Sequence, residues 1–145
     1  MPTKLKLYEL KKLQTDFPAV TIGSSKDAAD FIRQFYTDDI EIFESVFILL
    51  MNRARKTIGY AKISQGGLTG TVVDLRLVAK YAVESLATQV IMAHNHPSGN
   101  LKPSEQDIDI TKKAKLGLGL LDITVDDHII LTKDGYTSLA DECLM

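Results

Sequence analysis

Residues 91–107 read IMAHNHPSGNLKPSEQD. Two of the chain's three histidines, His94 and His96, stand two positions apart at the end of the apolar run Val90-Ile91-Met92-Ala93. Side chains at i and i+2 of an extended strand point to the same face, so a strand leaving the core here presents both imidazoles on one side. Pro97-Ser98-Gly99-Asn100 then breaks the strand and turns the chain. Ser104 opens a helix, and Asp107 falls in its first turn, eleven residues after His96. A turn that folds back over the strand end brings this carboxylate to the two imidazoles. Two histidines and one carboxylate, with a fourth position left to water, form the pattern of a catalytic rather than a structural zinc site. Zinc so held lowers the pKa of its water to about 7, which supplies hydroxide at neutral pH.

A hydrolytic site also needs a base for the proton of that water. Glu44 stands immediately before the apolar run 45–51 and Glu41 lies shortly upstream; spacing alone does not choose between them. Ser104 carries two readings that are compatible. Its hydroxyl donates to the oxyanion of a tetrahedral intermediate, and Ser104-Glu105-Gln106-Asp107 is a capping box at a helix start. The third histidine, His128, lies in Val125-Asp126-Asp127-His128-Ile129-Ile130. Its acidic neighbours and strand context predict a hydrogen-bonded structural role, with no assignment to the metal.

The composition sets the frame. At 145 residues and 45% hydrophobic, the chain has material for one packed core, and a single domain over 1–145 is expected. A net charge of -2 gives no overall basic signature for nucleic acid or anionic membrane. No apolar stretch approaches the roughly 18 residues of a membrane span. Lys and Glu interrupt the start, MPTKLKLYELKKL, so it does not read as a signal peptide, and a cytoplasmic location is expected. Cys143, the only cysteine, excludes an intrachain disulfide framework and a cysteine-based zinc site.

The pattern predicts a mixture of strands and helices around one sheet, an α/β or α+β domain. Lys4 to Leu10 alternates and reads as an edge strand. Ser24-Ser25-Lys26-Asp27 starts a helix with Ala28, Phe31, Ile32 and Phe35 on one face. Ser45 to Met51 is a continuous apolar run, hence a buried strand. A polar hairpin loop at Asn52 to Lys56 leads to a return strand, Thr57 to Ser64, closed by Gly66-Gly67. Asp74 caps a second helix with Leu75, Val78, Ala82 and Leu86 on one face. The strand Gln89 to His94 follows, then a helix from Ser104 to Gly117 and Gly119, where glycine ends it. Ile123 to Thr132 is a further strand and Asp134-Gly135 a hairpin turn. Residues 64–70, rich in glycine, read either as a mobile flap or as a plain connection, the second slightly favoured.

His94-x-His96-x7-Ser104-x2-Asp107 with an upstream glutamate resembles the JAMM motif of the JAB/MPN metalloproteases. HNHPSG, Pro103-Ser104-x-x-Asp107 and Asp127-His128-Ile129-Ile130 are similar to the RadC branch of bacterial JAB-domain proteins. Gly70-Thr71 and Arg76 sit where that branch has corresponding residues, and its glutamate-led strand favours Glu44 over Glu41. The resemblance covers roughly residues 24–138. It implies a cytidine-deaminase-like α/β fold of the JAB/MPN type, with a mixed, mostly antiparallel sheet flanked by helices. It implies a zinc-dependent peptidase or isopeptidase-type hydrolase acting on a peptide or protein, with one zinc per chain. Carried over residue by residue, His94, His96 and Asp107 bind zinc, Glu44 is the base and Ser104 stabilises the oxyanion. The helix-hairpin-helix region usual in that branch is expected to be absent here, where some two dozen residues precede the first helix.

The alternative of another class is a DNA-repair accessory protein of the RadC type, associated with DNA and without peptidase activity. The basic clusters Arg53-Arg55-Lys56 and Lys112-Lys113-Lys115 read as solvated faces. His-Asn-His is contiguous here, so the letters do not indicate a nuclease, and one cysteine cannot build the ligand set of a zinc deaminase.

Overall fold

The structure, a computed structural model, describes residues 2–9, 11–66 and 73–145. Among these residues the elements run α1 (Ser25–Arg33), β1 (Ser45–Met51), β2 (Thr57–Gln65), α2 (Leu75–Glu84), β3 (Gln89–Asn95), α3 (Glu105–Gly119), β4 (Thr124–Leu131) and β5 (Tyr136–Ser138). The strands form one sheet in the order β2-β1-β3-β4-β5. The β3–β4 pair is parallel and the other neighbours are antiparallel. This is the mixed, mostly antiparallel α/β sheet with flanking helices that the resemblance implies.

Both faces of the sheet are covered, which explains why β1 is apolar from Val46 to Met51 and buried throughout. Phe47, Leu49 and Met51 pack in a cluster with Ala28, Phe31 and Ile32 of α1. Val46, Ile48 and Leu50 point the other way, into a cluster with Val78 and Ala82 of α2 and Ala114 and Leu118 of α3. The same alternation sends Ile91 and Ala93 of β3 toward α1, and Val90 and Met92 toward α2 and α3. His94, two residues beyond Met92, therefore emerges on the α3 side. His128 of β4, the register partner of Met92, faces that side too.

Local chemistry sets the helix starts. Ser24 caps α1 by accepting from the Asp27 N–H at 3.1 Å, and Asp74 caps α2 by accepting from the Arg76 N–H at 2.9 Å. Asn52 shapes the β1–β2 loop through its side-chain oxygen, which accepts from the N–H groups of Ala54 and Lys56. At the far end of α3 the helix runs through Gly117 and ends at Gly119. The left-handed residue that redirects the chain is Asp122, at φ 58°, rather than a glycine.

The edge strand expected near the start does not form. Residues 2–9 have no regular structure, and Leu5, Leu7 and Tyr8 are exposed. Alternation marks a face that a strand could bury, but a strand also needs a partner for its backbone groups, and no strand of the sheet pairs with this segment. Leu10, Gly67, Gly70 and Thr71 lie outside the described residues, as does most of the 64–70 connection. No helix among the described residues is long and apolar enough to cross a membrane.

Leu49, 1% exposed, packs toward α1 on the face of β1 away from the histidines. Leu49→Ala is expected to lower unfolding free energy by about 2–5 kcal/mol through lost burial and a residual cavity, measured by denaturant titration, with metal uptake by the folded fraction unchanged.

Candidate metal centre

β1 and β3 pair antiparallel with Val46 opposite His94. Continued two residues past that pair, the same register sets Glu44 opposite His96, on the same face as Val46. Glu44, His94 and His96 accordingly offer one donor atom each within 4.8 Å of one another. The Glu44 carboxylate lies 3.6 Å from His94 Nε2. Glu41 points elsewhere, with its exposed carboxylate 3.6 Å from the Lys133 ammonium, so the runner-up base is not at the centre.

Beyond β3 the chain turns as the sequence indicates. His96 N–H donates to the Leu131 carbonyl at 2.8 Å, extending the ladder by one bond. Gly99 N–H donates back to the His96 carbonyl at 3.0 Å, and Gly99 sits at φ 85°, a conformation that favours a residue without Cβ. The turn delivers the Asn100 carbonyl to His96 Nδ1 at 2.6 Å. A carbonyl cannot donate, so Nδ1 carries the proton in this bond and Nε2 of the neutral ring presents its lone pair to the centre.

Ser104 then starts α3 with the expected capping box. Its Oγ accepts from Asp107 N–H at 3.0 Å, and Asp107 Oδ2 accepts from Ser104 N–H at 2.8 Å. The box uses the lone pair of the Ser104 hydroxyl and not its proton. It also orients the Asp107 carboxylate, whose oxygens lie 3.2 Å from His94 Nε2 and 3.3 Å from His96 Nε2. Burial pushes the Asp107 carboxyl up, but the facing His94 and His96 imidazoles outweigh it and hold the group well below the usual carboxylate range. The Asp107 carboxylate leads the forces that raise His96 above an ordinary imidazole.

The two Nε2 atoms stand 2.9 Å apart. A tetrahedral ion with bonds of about 2.0–2.1 Å separates neighbouring ligand atoms by roughly 3.3 Å. The imidazole and Asp107 separations fit such edges closely, and nitrogen with carboxylate oxygen is a donor set that divalent transition ions accept. The residues present therefore fit a metal.

Three contributors were not apparent from sequence. Asn95, fully buried between the two histidines in sequence, points to the opposite face of β3. Its Oδ1 accepts from Ser45 N–H at 2.8 Å, and its Nδ2 donates to the carbonyls of Ile40 at 2.6 Å and Phe43 at 2.8 Å. The segment carrying Glu44 is thereby stitched to the strand carrying the histidines. Tyr36 reinforces the stitch, its hydroxyl donating to the Ser45 carbonyl at 2.8 Å. Burial, with the Glu44 charge second, raises the Tyr36 phenol well above its ordinary value. The third is His128, 1% exposed, whose ring lies 2.7 Å from His94 Nδ1 through Nε2 and 2.6 Å from the Thr111 hydroxyl through Nδ1. Desolvation leads the forces that hold His128 well below an ordinary imidazole. The structural role expected of His128 thus extends to direct contact with the centre. No sequence signal reports such partners, because they depend on which strands become neighbours.

A model of the RadC-like JAB domain matches residues 22–144. The chain belongs to the RadC-like JAB domain family. It is 43% identical over 121 residues to a UPF0758 protein of Flavobacterium johnsoniae, which covers 83% of this chain and 52% of that one. A UPF0758 protein of Porphyromonas gingivalis is 41% identical over 126 residues, covering 86% of this chain and 55% of the relative. One from Marinobacter nauticus is 43% identical over 105 residues. The JAB chain thus spans about half the length of these curated relatives, and their names carry no activity.

Replacing Asn95 with Ala would leave the buried Ser45 N–H without its acceptor and the Ile40 and Phe43 carbonyls without their donor. Each orphaned group costs about 1–3 kcal/mol, so a clear drop in melting temperature is expected. Metal content should persist, because the donors on β3 and α3 are untouched; loss of both together would show that Asn95 supports more than the Glu44 segment.

Proposed function

We propose that this JAB domain is a zinc-dependent amide hydrolase of the peptidase or isopeptidase type. The observation that carries the reading is the convergence of His94, His96 and Asp107 at mutual spacings of 2.9 to 3.3 Å, with Glu44 at the rim. His94, His96 and Asp107 are the three ligands, because Asp107 Oδ1 lies 3.2 Å from His94 Nε2 and Oδ2 3.3 Å from His96 Nε2, whereas Glu44 stands 3.6 Å from His94. Zinc held there supplies Lewis-acid polarisation of an amide carbonyl and lowers the pKa of water in the open position.

The chain's own groups do the rest. The Glu44 carboxylate, part exposed at the rim, accepts a proton as the water oxygen bonds to the amide carbon. It returns that proton to the nitrogen as the C–N bond breaks, so acid and base are one residue. The hydroxyl of Ser104, its lone pair engaged by the helix cap, donates its proton toward the carbonyl oxygen as negative charge grows there. The cap leaves no alternative orientation for the Ser104 oxygen, which limits the reorganisation needed at that moment. Asn95 and Tyr36 fix the backbone on either side of Glu44, so its reach to the water is set before substrate arrives. His94 supplies the buried side of the pocket, and Glu44, His96 and Asp107, all part exposed, the side open to a peptide or protein substrate.

Metal content by mass spectrometry tests the ligands: wild type is expected to hold or take up one zinc per chain, and His96→Ala and Asp107→Asn to lose it. Glu44→Gln should keep the zinc and hydrolyse a fluorogenic peptide library about 10²–10⁴-fold more slowly. Zinc lost from Glu44→Gln would make Glu44 a ligand, and wild type that takes up no zinc would falsify the reading.

A further inference from the structure

His128 lies at full burial beside the centre, yet no step proposed above uses it. Its two ring nitrogens have different partners. Nδ1 meets the Thr111 hydroxyl at 2.6 Å and Nε2 meets His94 Nδ1 at 2.7 Å. The protons along this chain can be counted. Thr111 has one hydroxyl proton and donates it to the Asp107 carbonyl four residues back, at 2.6 Å. Having no second proton, Thr111 accepts from His128, so His128 carries its proton on Nδ1. The Nε2 of the neutral ring then offers a lone pair, and His94 Nδ1–H donates to it. His94 Nε2 is left without a proton and aimed at the centre, 3.2 Å from Asp107 Oδ1.

We propose that His128, set by Thr111, is a positioning residue that locks His94 in the one tautomer able to bind a metal. The inference rests on the metal-centre reading above and adds to it how the deeper imidazole is prepared. The arrangement closes on itself. Asp107 fixes Thr111 through its backbone carbonyl, Thr111 fixes His128, His128 fixes His94, and His94 faces the Asp107 carboxylate. The strand-borne and helix-borne donors are thus tied together behind the centre, away from solvent. His96 reaches the same tautomer by a separate route, its Nδ1–H donating to the Asn100 carbonyl. Each ring, when neutral, therefore presents Nε2, and neither has to switch tautomer or rotate when a cation arrives.

Burial supports a neutral His128, since an imidazolium enclosed among β3, β4 and α3 would be desolvated without a carboxylate against its ring. Asp127, its neighbour in sequence, turns away from the ring and accepts from the Ser138 hydroxyl and from the N–H groups of Ala140 and His128.

Imidazole nitrogen NMR on the metal-free full chain at mildly alkaline pH reads the tautomers directly. His94 and His128 are both expected as the Nδ1–H form. Zinc affinity, by competition with a chromophoric chelator, is expected to fall about 10–100-fold in His128→Phe, which fills the space without a ring nitrogen. His128→Gln, which returns an acceptor near the place of Nε2, should recover most of that loss, whereas a purely space-filling role would favour the Phe variant. A His128 protonated on Nε2, or on both nitrogens, overturns the proposal, as does a folded His128→Phe that binds zinc like wild type. Should His128→Phe fail to fold, the wild-type tautomers decide alone. A wild type that binds no zinc would remove the hydrolase reading, while the spectra would still accept or reject the tautomer lock.

Discussion

The antiparallel register between β1 and β3 is the constraint on which the centre depends. Val46 opposite His94 sets Glu44 near His96 and brings a carboxylate from one strand entry against imidazoles from one strand exit. Shifting the pairing by one residue would turn the side chains of β1 to the other face, sending Glu44 into the layer of α1. The register is held because β1 is buried on both faces and its two apolar sets fit different helix layers. Asn95 then adds a polar pin at the point where the ladder ends, binding three backbone groups of the preceding segment.

The helix α3 brings the remaining carboxylate by an equally local device. A capping box is ordinary stabilisation of a helix start, but here its acidic member has a second duty. The Asp107 oxygen that accepts from the Ser104 backbone also lies beside His96. The reading of Ser104 and Asp107 as a cap and the reading of them as site residues are therefore one geometry seen from two sides. A carboxyl that burial alone would push up is held ionised because two imidazoles and a backbone amide face it.

Much of this was legible in the residue pattern. The six successive apolar residues of β1 announced a strand covered on both faces, and Ser24, Asp74 and Ser104 marked the three helix starts. His94, His96 and Asp107 were legible because strand parity and a short turn act over a few residues. Spacing alone did not choose Glu44 over Glu41, since the choice rests on pairing between strands far apart in sequence; the family resemblance supplied it. Spacing was equally silent on His128 and Thr111, whose meeting requires β4 to lie parallel beside β3 with α3 packed over both. The alternation at Lys4 to Tyr8 misled in the opposite direction, showing a strand-like face without a neighbour to bond it.

The parallel β3–β4 pair, with α3 as its crossover, has a consequence for how such a centre is inherited. Both histidines and the aspartate occur within residues 94–107, while Glu44 comes from a strand entry fifty positions before His94. On the proposed reading, cation capture and proton handling are encoded in separate segments joined only through a shared ladder. Drift in the first segment would erase the ion and everything built upon it. Drift in the second would leave a domain that still grips its ion but is chemically silent, a route by which an enzyme lineage can give rise to scaffolds.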